Sequence, residues 1–398
     1  MEAGKEAHMG RGAWWVGSLI VSGAASAAMG GEPDEQEQLR ALLEEHARRA
    51  AAGEELPALE ARIDALAGAR DAAFSGLYWH RDLASARAEA ERRGRPILSL
   101  RLLGGLDCER SCANSRFFRT ALYANAELAA WLRERVVLHW ESVRPVPVIT
   151  IDMGDGRRIE RTITGNSIHW LLLPDGAVVD AFPGLYGPQA FAAALRPSVE
   201  AAERALRLEA SARPAALRRH QGEALRQLEA LGALAFPARA APPGGAGRHP
   251  TAREAAPLAM GKAMVERPLI AALDGGPPPA GDPAWDVAGR WFRERCRLDA
   301  RSRALMARKC TPAQREPAAF VALVARFEEL MARDTAQNEL GLRPRLLGWL
   351  VQGAGADLPA LNRRVYAELF RTPGEDPWLG LAALEDFAAL EGGGLVER

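Results

Sequence analysis

Two cysteines four residues apart are the part of this sequence best suited to chemistry. Cys108 and Cys112 follow the apolar run 97–103 and open the stretch 108–123, whose apolar spacing is typical of a helix. On a helix, positions i and i+4 share one face, and their Cα atoms lie about 6 Å apart, within the range that a disulfide bridges. The pair therefore predicts thiol/disulfide chemistry, a soft metal site or a structural disulfide. The neighbouring charges do not decide between these, because acidic and basic residues flank Cys108 in similar number.

The first residues predict export to a compartment where disulfides persist. Lys5 and Arg11 precede the uncharged stretch 12–31, and Ala25-Ser26-Ala27 offers the small residues that signal peptidase reads. We expect a signal peptide over residues 1–27, no membrane span after its cleavage, and a periplasmic or secreted mature protein.

The charge balance argues against two classes of partner. Lys and Arg together number 51, as do Asp and Glu, so no overall attraction to nucleic acid or anionic membrane is expected. No phosphate-binding glycine loop, zinc-protease helix, serine-hydrolase elbow or haem-attachment motif occurs.

The middle of the chain predicts alternating helices and strands around the two cysteines. Apolar periodicity, Gly/Pro punctuation and Gly-containing turns mark each element. The expected helices are 79–94, 108–123, 126–135 and 189–195, and the expected strands are 97–103, 136–140, 148–151, 158–163, 168–173 and 177–182.

This order and two local motifs resemble the thioredoxin-like domains of exported proteins. The first motif is Trp79-x-x-Asp82-Leu83-x-x-Ala86 followed by Gly94-Arg95-Pro96-Ile97-Leu98, and the second is the hairpin around Pro174-Asp175-Gly176. The resemblance covers residues 78–197. It implies an α/β thioredoxin-like domain, flanked by an α-helical N-terminal segment (33–77), a helix and Pro/Gly-rich linker (198–250) and a larger α-helical C-terminal domain (251–398).

The resemblance also implies an activity, thiol/disulfide exchange with a protein partner. In such an oxidoreductase Cys108 attacks and Cys112 resolves the mixed disulfide. Two features depart from the family: the spacing is Cys-x-x-x-Cys in place of Cys-x-x-Cys, and Ser167 stands where the family carries a cis-proline facing the sulfurs. No cofactor is expected for this activity.

A second family resemblance implies a metal site instead. Cys-x-x-x-Cys on an exported thioredoxin fold is similar to copper-binding proteins in which two thiolates and a distal histidine hold the ion, and sulfur with imidazole suits copper. The ligands would be Cys108, Cys112 and His169, with His139 as the other candidate histidine. A third alternative is a non-catalytic binding or assembly module with a structural disulfide.

The C-terminal region predicts packed helices with polar residues inside. Phe320, Leu323, Val324, Phe327, Leu330 and Met331 form an apolar stripe at helical spacing. Asp334 and Asn338 continue this stripe, so we expect an internal hydrogen-bond network, with Arg343, Arg345 or Arg363 as partners. Cys296 and Cys310 lie in a basic region without a nearby histidine, which predicts a structural disulfide.

Overall fold

The computed structural model describes residues 34–162, 165–236, 283–370, 372 and 389–391. From Glu35 onwards, the described residues belong to one compact unit. The predicted signal peptide and the Pro/Gly-rich part of the predicted linker, 237–250, lie outside the described residues. Within the described part of the chain, no helix is long and apolar enough to cross a membrane.

The N-terminal segment forms two helices, as the apolar spacing predicts, and a third short one. Leu39 of the first helix and Leu59 and Ile63 of the second are buried in a small core of their own. Gly68, with φ near +70°, ends the second helix in the left-handed conformation that glycine adopts without strain. The bounds are α1 Glu35–Ala51, α2 Pro57–Ala67 and α3 Ala72–Ser75.

The strands form two separate sheets, so the chain has a mixed α/β architecture. In the four-stranded sheet the order is β2-β1-β5-β6, with β1 and β2 parallel and the β1–β5 and β5–β6 pairs antiparallel. Strands β3 and β4 form a two-stranded antiparallel hairpin outside that sheet. The bounds are β1 Ile97–Leu103, β2 Val137–Arg144, β3 Val148–Asp152, β4 Arg158–Thr162, β5 Ser167–Leu172 and β6 Val178–Pro183.

Both faces of the four-stranded sheet are buried, which explains its nearly continuous apolar strands. Ser99 lies opposite Trp170 on one face, where the Trp170 indole donates to the Oδ1 atom of Asn362 in a C-terminal helix at 3.1 Å. Leu100 lies opposite His169 on the other face, where aromatic rings cover the sheet. The C-terminal helices and the sheet therefore share one core.

Local capping fixes the helices that follow and precede the strands. The Asp82 carboxylate accepts from the amide of Ser85 at 2.9 Å to begin α4, and the Asn125 amide oxygen accepts from Leu128 at 3.0 Å to begin α6. The bounds are α4 Leu83–Arg93, α5 Ala113–Phe117 with a π-helical turn Phe118–Leu122, α6 Ala126–Arg135, α7 Pro188–Leu206 and α8 Arg213–Ala235.

The C-terminal region is helical, and its long helix buries most of the predicted stripe. Leu323, Val324, Phe327 and Met331 are buried, while Phe320 packs only partly against the core. The bounds are α9 Pro283–Arg290, α10 Ala300–Lys309, α11 Pro312–Arg315, α12 Pro317–Gln337, α13 Arg343–Val351 and α14 Leu358–Arg364, with π-helical turns Asn338–Leu342 and Val365–Leu369.

Candidate functional site

Cys108 and Cys112 lie between the end of β1 and the start of α5, but they do not share a helix. Residues 106–110 form turns, and Cys112 is the N-cap of α5 with extended backbone angles (φ −60°, ψ 159°). The Cys112 amide donates to the carbonyl of Leu103 at 3.2 Å, which ties it to the end of β1. The expected helix over 108–123 is therefore wrong for its first five positions. Cys108 is exposed and Cys112 is buried.

A buried arginine explains why the chain makes turns here. The Arg119 Nη1 atom donates to the carbonyls of Leu106 at 3.2 Å and Cys108 at 2.9 Å. The Leu106 carbonyl also accepts from the backbone amide of Arg70 at 3.2 Å. In a helix, the Cys108 carbonyl would accept from the amide of Cys112. Here Arg119 donates to it instead, and the Cys112 amide donates to Leu103.

The Arg119 guanidinium is nearly fully buried and has few compensating charges. Its Nε atom lies 3.7 Å from the Asp71 carboxylate, which the Lys309 ammonium also contacts at 2.9 Å. Burial lowers the pKa of Arg119, and the nearby carboxylates of Asp71 and Glu109 only partly offset this. Two of its nitrogens, Nε and Nη2, have no hydrogen-bond partner among the described residues.

The charged residues beside Cys108 are paired with neighbours outside the turn. Asp107 lies 3.3 Å from the guanidinium of Arg81, and Glu109 lies 3.0 Å from that of Arg70. Arg110 forms an ion pair with Glu160 of β4. The acidic and basic neighbours are therefore largely neutralised, and exposed ion pairs attach the turn to the connection after α2, to the residues just before α4 and to the β3–β4 hairpin.

Ser167, at the start of β5, lies against the first turn of α5. The Asn114 side-chain amide donates to the Ser167 Oγ atom at 2.9 Å, two residues after Cys112. A Cβ atom on Gly165 would lie 2.8 Å from the Asn114 side-chain oxygen, so the chain entering β5 approaches α5 closely. The start of β5 and the cysteine segment are thus adjacent.

Two tyrosines near Cys112 were not anticipated from the sequence. Burial raises the pKa of both Tyr123 and Tyr366 well above the usual value, and the nearby Cys112 adds to the rise. The Tyr366 hydroxyl donates to the carbonyl of Asn166 at 3.3 Å, so the C-terminal π-helical turn reaches the cysteine end of the sheet. No local sequence pattern marks Tyr366, because it lies more than 250 residues from Cys112 in the chain.

The two candidate histidines are buried core residues. The His169 Nε2 atom is 2.7 Å from the Tyr123 hydroxyl, and the ring packs between Phe118 and Phe191. The His139 Nδ1 atom is 2.9 Å from the Ser99 Oγ atom on the opposite face of the sheet. Burial lowers the pKa of each to about 3, and Arg101 contributes to the shift of His139.

The predicted copper ligands do not form a cluster in the structure. Across the described ranges, no group of three or more His, Cys, Asp and Glu side chains lies close enough to hold an ion. The predicted ligand set Cys108, Cys112 and His169 is separated, since His169 lies inside an aromatic cluster and Cys108 lies at the surface.

The other two cysteines are free thiols in the structure, so the disulfide expected between Cys296 and Cys310 is not formed there. Cys296 is fully buried, with its Sγ atom 3.5 Å from the Thr335 hydroxyl. A Cβ atom on Gly187 would lie 2.3 Å from that sulfur, so only glycine fits at the start of α7. Burial raises the pKa of Cys296 to about 12.

A buried charge network joins β6 to the C-terminal helices. The Asp180 carboxylate accepts from the Arg343 guanidinium at 2.6 Å and from the Ser198 hydroxyl at 2.5 Å. Arg343 also donates to Glu339 at 2.6 Å, and Tyr186 donates to the same carboxylate group at 2.9 Å. Burial alone would raise the pKa of Asp180, but Arg343 and His220 together outweigh it and lower the pKa well below the usual range.

Of the polar residues predicted to face inward, only some are buried and hydrogen-bonded in the structure. Asn338 is buried and donates to the carbonyl of Leu185 at 2.7 Å, as an internal network requires. Asp334 is half-buried, and the main charge partner in this region is Arg343 with Glu339 and Asp180. Asp180 was missed because its partner lies 163 residues away in the chain.

Comparison of the chain with protein-family models, with curated proteins and with solved structures finds no match.

Proposed function

We propose that this protein is an exported thioredoxin-like thiol/disulfide oxidoreductase that acts on a protein partner through Cys108 and Cys112. The topology supports this: a parallel β1–β2 pair enclosing helices, then the antiparallel strands β5 and β6 and the helix α7. The cysteines lie at the carboxyl end of the central parallel strand, where α/β folds place their reactive groups. The proposed export places the protein where disulfide substrates form.

The observation that carries the proposal is the unequal exposure of the two thiols on one short segment. Cys108 is exposed, while Cys112 is fully buried behind it at the N-cap of α5. A disulfide exchange protein needs one thiol that a partner can reach and a second that a partner cannot reach. This difference supports Cys108 as the attacking thiol and Cys112 as the resolving thiol.

The reaction follows from these roles. The Cys108 thiolate attacks one sulfur of a partner disulfide, the S–S bond breaks, and the other sulfur leaves as a thiolate that takes up a proton. Cys112, as a thiolate, then attacks the Cys108 sulfur and releases the second partner thiol. The partner gains two electrons, and the protein ends with a Cys108–Cys112 disulfide. A dithiol reductant restores the two thiols.

The resolving step requires the turn 106–111 to move. Cys112 is buried and its amide is tied to Leu103, whereas the Cys108 carbonyl is held by Arg119. Three residues lie between the two cysteines, and two of them, Glu109 and Arg110, are attached by surface ion pairs worth at most about 1 kcal/mol each. The carbonyl of the buried Ser111 also accepts from Arg116 and Thr162, so the movement has to break these bonds and the Arg119 bond to Cys108.

The decisive experiment is the reduction potential of the purified protein, measured by thiol labelling across a glutathione series. A potential between about −270 and −120 mV for the Cys108–Cys112 pair supports exchange activity. A value below about −300 mV marks a structural disulfide and favours the assembly module. Protection of both thiols by Cu(I), lost in Cys112→Ser and weakened in His169→Ala, favours the copper-binding alternative.

A trapping experiment separates the roles of the two thiols. Cys112→Ser should accumulate a mixed disulfide with a disulfide-containing partner protein, whereas Cys108→Ser should not. Cys310→Ser is the matched control, because Cys310 is a partly exposed thiol outside the site, and it should behave as wild type. Reductase activity that survives in the Cys108→Ser/Cys112→Ser double variant contradicts the proposal.

A further inference from the structure

A surface cavity of about 320 Å³ lies between α1, α4 and the first residues of β2. Its volume is at the lower end of the range for small-molecule sites. Val137, which lines it, pairs with Ile97 at the start of β1, whereas Cys112 is bonded to Leu103 at the end of that strand. These two ends of β1 are six residues apart, which corresponds to about 20 Å along a strand. The cavity is therefore separate from the proposed redox site.

The cavity has an apolar floor. Leu39 of α1 and Val137 and Leu138 of β2 line it, and each of these residues is otherwise buried in the protein. Aliphatic side chains at the bottom of a cavity favour an apolar occupant over a polar one, because they offer a polar group no hydrogen bond.

Three arginines surround this floor, and two of them lack a carboxylate partner. Arg93 is held by the Glu89 carboxylate and by the Gln36 side chain, whose oxygen accepts from it at 2.6 Å. Arg133 donates from one Nη atom to the carbonyl of Ser75 at 2.8 Å, and Arg40 is an exposed side chain that lines the cavity. Neither Arg40 nor Arg133 forms an ion pair with any described residue.

The lining is therefore cationic overall. Glu89 is paired with Arg93, so the charges of Arg40 and Arg133 remain uncompensated within the cavity. Burial, with Arg301 nearby, lowers the pKa of Arg133, and the Glu134 carboxylate only partly offsets this shift. A guanidinium presents parallel N–H donors that match a carboxylate in geometry.

We propose that this cavity binds a small amphipathic carboxylate, with its carboxylate group between Arg40 and Arg133 and its aliphatic chain on Leu39, Val137 and Leu138. The same chemistry occurs in a free aliphatic acid and in the carboxyl-terminal residue of a peptide. Octanoate represents the first source and N-acetyl-leucine the second.

Titration calorimetry of the full-length protein at low salt tests the site. Octanoate or N-acetyl-leucine should bind, and the tighter of the two identifies the source. Arg40→Gln should weaken binding by about fivefold, the upper range for an exposed ion pair, and Arg40→Gln/Arg133→Gln should weaken it further. Arg48→Gln is the matched control, because Arg48 is exposed on the same helix but does not line the cavity, and it should bind as wild type.

Two further probes test whether both parts of the proposed ligand are needed: one lacks the charge, and the other lacks the apolar chain. Octan-1-ol lacks the charge and should bind more weakly than octanoate, and inorganic phosphate lacks the apolar chain and should also bind more weakly. Equal affinity for octanol and octanoate, tighter binding of phosphate, or unchanged octanoate affinity in Arg40→Gln overturns the proposal. Arg40 is exposed, so its replacement does not threaten the fold.

Discussion

The Arg119 guanidinium donates to the carbonyl oxygen of Cys108 at 2.9 Å, so a buried cation holds the turn that presents the exposed thiol. Arg119 lies in the helical segment after Cys112, and the same nitrogen also holds Leu106. The position of Cys108 relative to Cys112 is thus set by a side chain eleven residues further along the chain. In the proposed reaction, Arg119 is a positioning residue.

Arg119→Lys should release this turn. A lysine keeps the charge but cannot reproduce the planar donor group that reaches two carbonyls, so we expect a loss of about 2 kcal/mol in the free energy of unfolding. Urea denaturation measures this loss. In the same variant Cys112, buried in wild type, should become reactive towards N-ethylmaleimide, as read by mass spectrometry. Arg110→Lys, which changes an exposed ion pair, is the control and should leave Cys112 protected. Continued protection of Cys112 in Arg119→Lys would contradict this role.

The buried histidines should make the protein less stable in mild acid. Burial lowers the pKa of His139 and His169 to about 3, below the value of about 6.5 in the unfolded chain. As pH falls below about 6.5, the unfolded state takes up protons that the folded state refuses, so this part of the stability is present above pH 6.5 and is lost towards pH 3. By pH 5 each histidine should cost about 2 kcal/mol.

Urea denaturation at pH 7 and pH 5 checks this expectation. His169→Gln should reduce the loss between the two pH values by about 2 kcal/mol, even though it lowers stability at pH 7 by removing the contact with Tyr123. The difference between the two pH values isolates the titration from the packing defect. An identical pH dependence in wild type and His169→Gln would refute the assignment of His169 as a buried neutral imidazole.

The Asp180–Arg343 pair should be the most sensitive polar contact in the core. Both side chains are buried, so Asp180→Asn leaves the Arg343 charge with Glu339 as its one remaining carboxylate partner and should cost about 3–5 kcal/mol. The double change Asp180→Leu/Arg343→Met should cost less than the sum of the single changes, because it removes both charges of this pair together. Asp155→Asn, in an exposed ion pair with Arg157, is the control and should leave the unfolding midpoint almost unchanged. Additive losses would show that the two residues act independently.

The boundaries 78 and 197 remain a prediction, and fragments test them. Trp170 is hydrogen-bonded to Asn362, and Asp180 to Arg343, so a fragment 78–197 exposes the indole and leaves the Asp180 carboxylate without its guanidinium. We expect this fragment to bind the dye ANS and to unfold without a cooperative transition, whereas residues 34–398 unfold cooperatively. A cooperative, dye-free fragment 78–197 would support an autonomous domain.

Elements with local signals were predictable from the sequence. Strand β1 has the expected bounds, because a run of apolar residues between Pro96 and Gly104 specifies a buried strand. Helix α6 also has its expected bounds, since Asn125 caps it directly. The β5–β6 hairpin follows from the Pro-Asp-Gly turn at 174–176.

Features that depend on distant side chains were not predictable. The helical spacing of 108–123 is real, yet its first turn is absent because Arg119 binds the carbonyls there. The spacing of apolar residues predicts which helix face is buried, but it does not predict which carbonyls a buried arginine binds. Likewise, His169 was predicted as a possible metal ligand, but the rings of Phe118 and Phe191 enclose it.

The link between Asp180 and Arg343 has a consequence for the order in which the chain is made. A ribosome adds Arg343 163 residues after Asp180, which at about 5–20 residues per second is a delay of roughly 8–30 s. Throughout that interval the β6 carboxylate has no guanidinium to pair with, and the face carrying Trp170 has no α14 to cover it. During this interval the sheet of the nascent chain exposes apolar surface that can aggregate. A chaperone that covers this surface during synthesis or translocation would therefore raise the yield of folded protein.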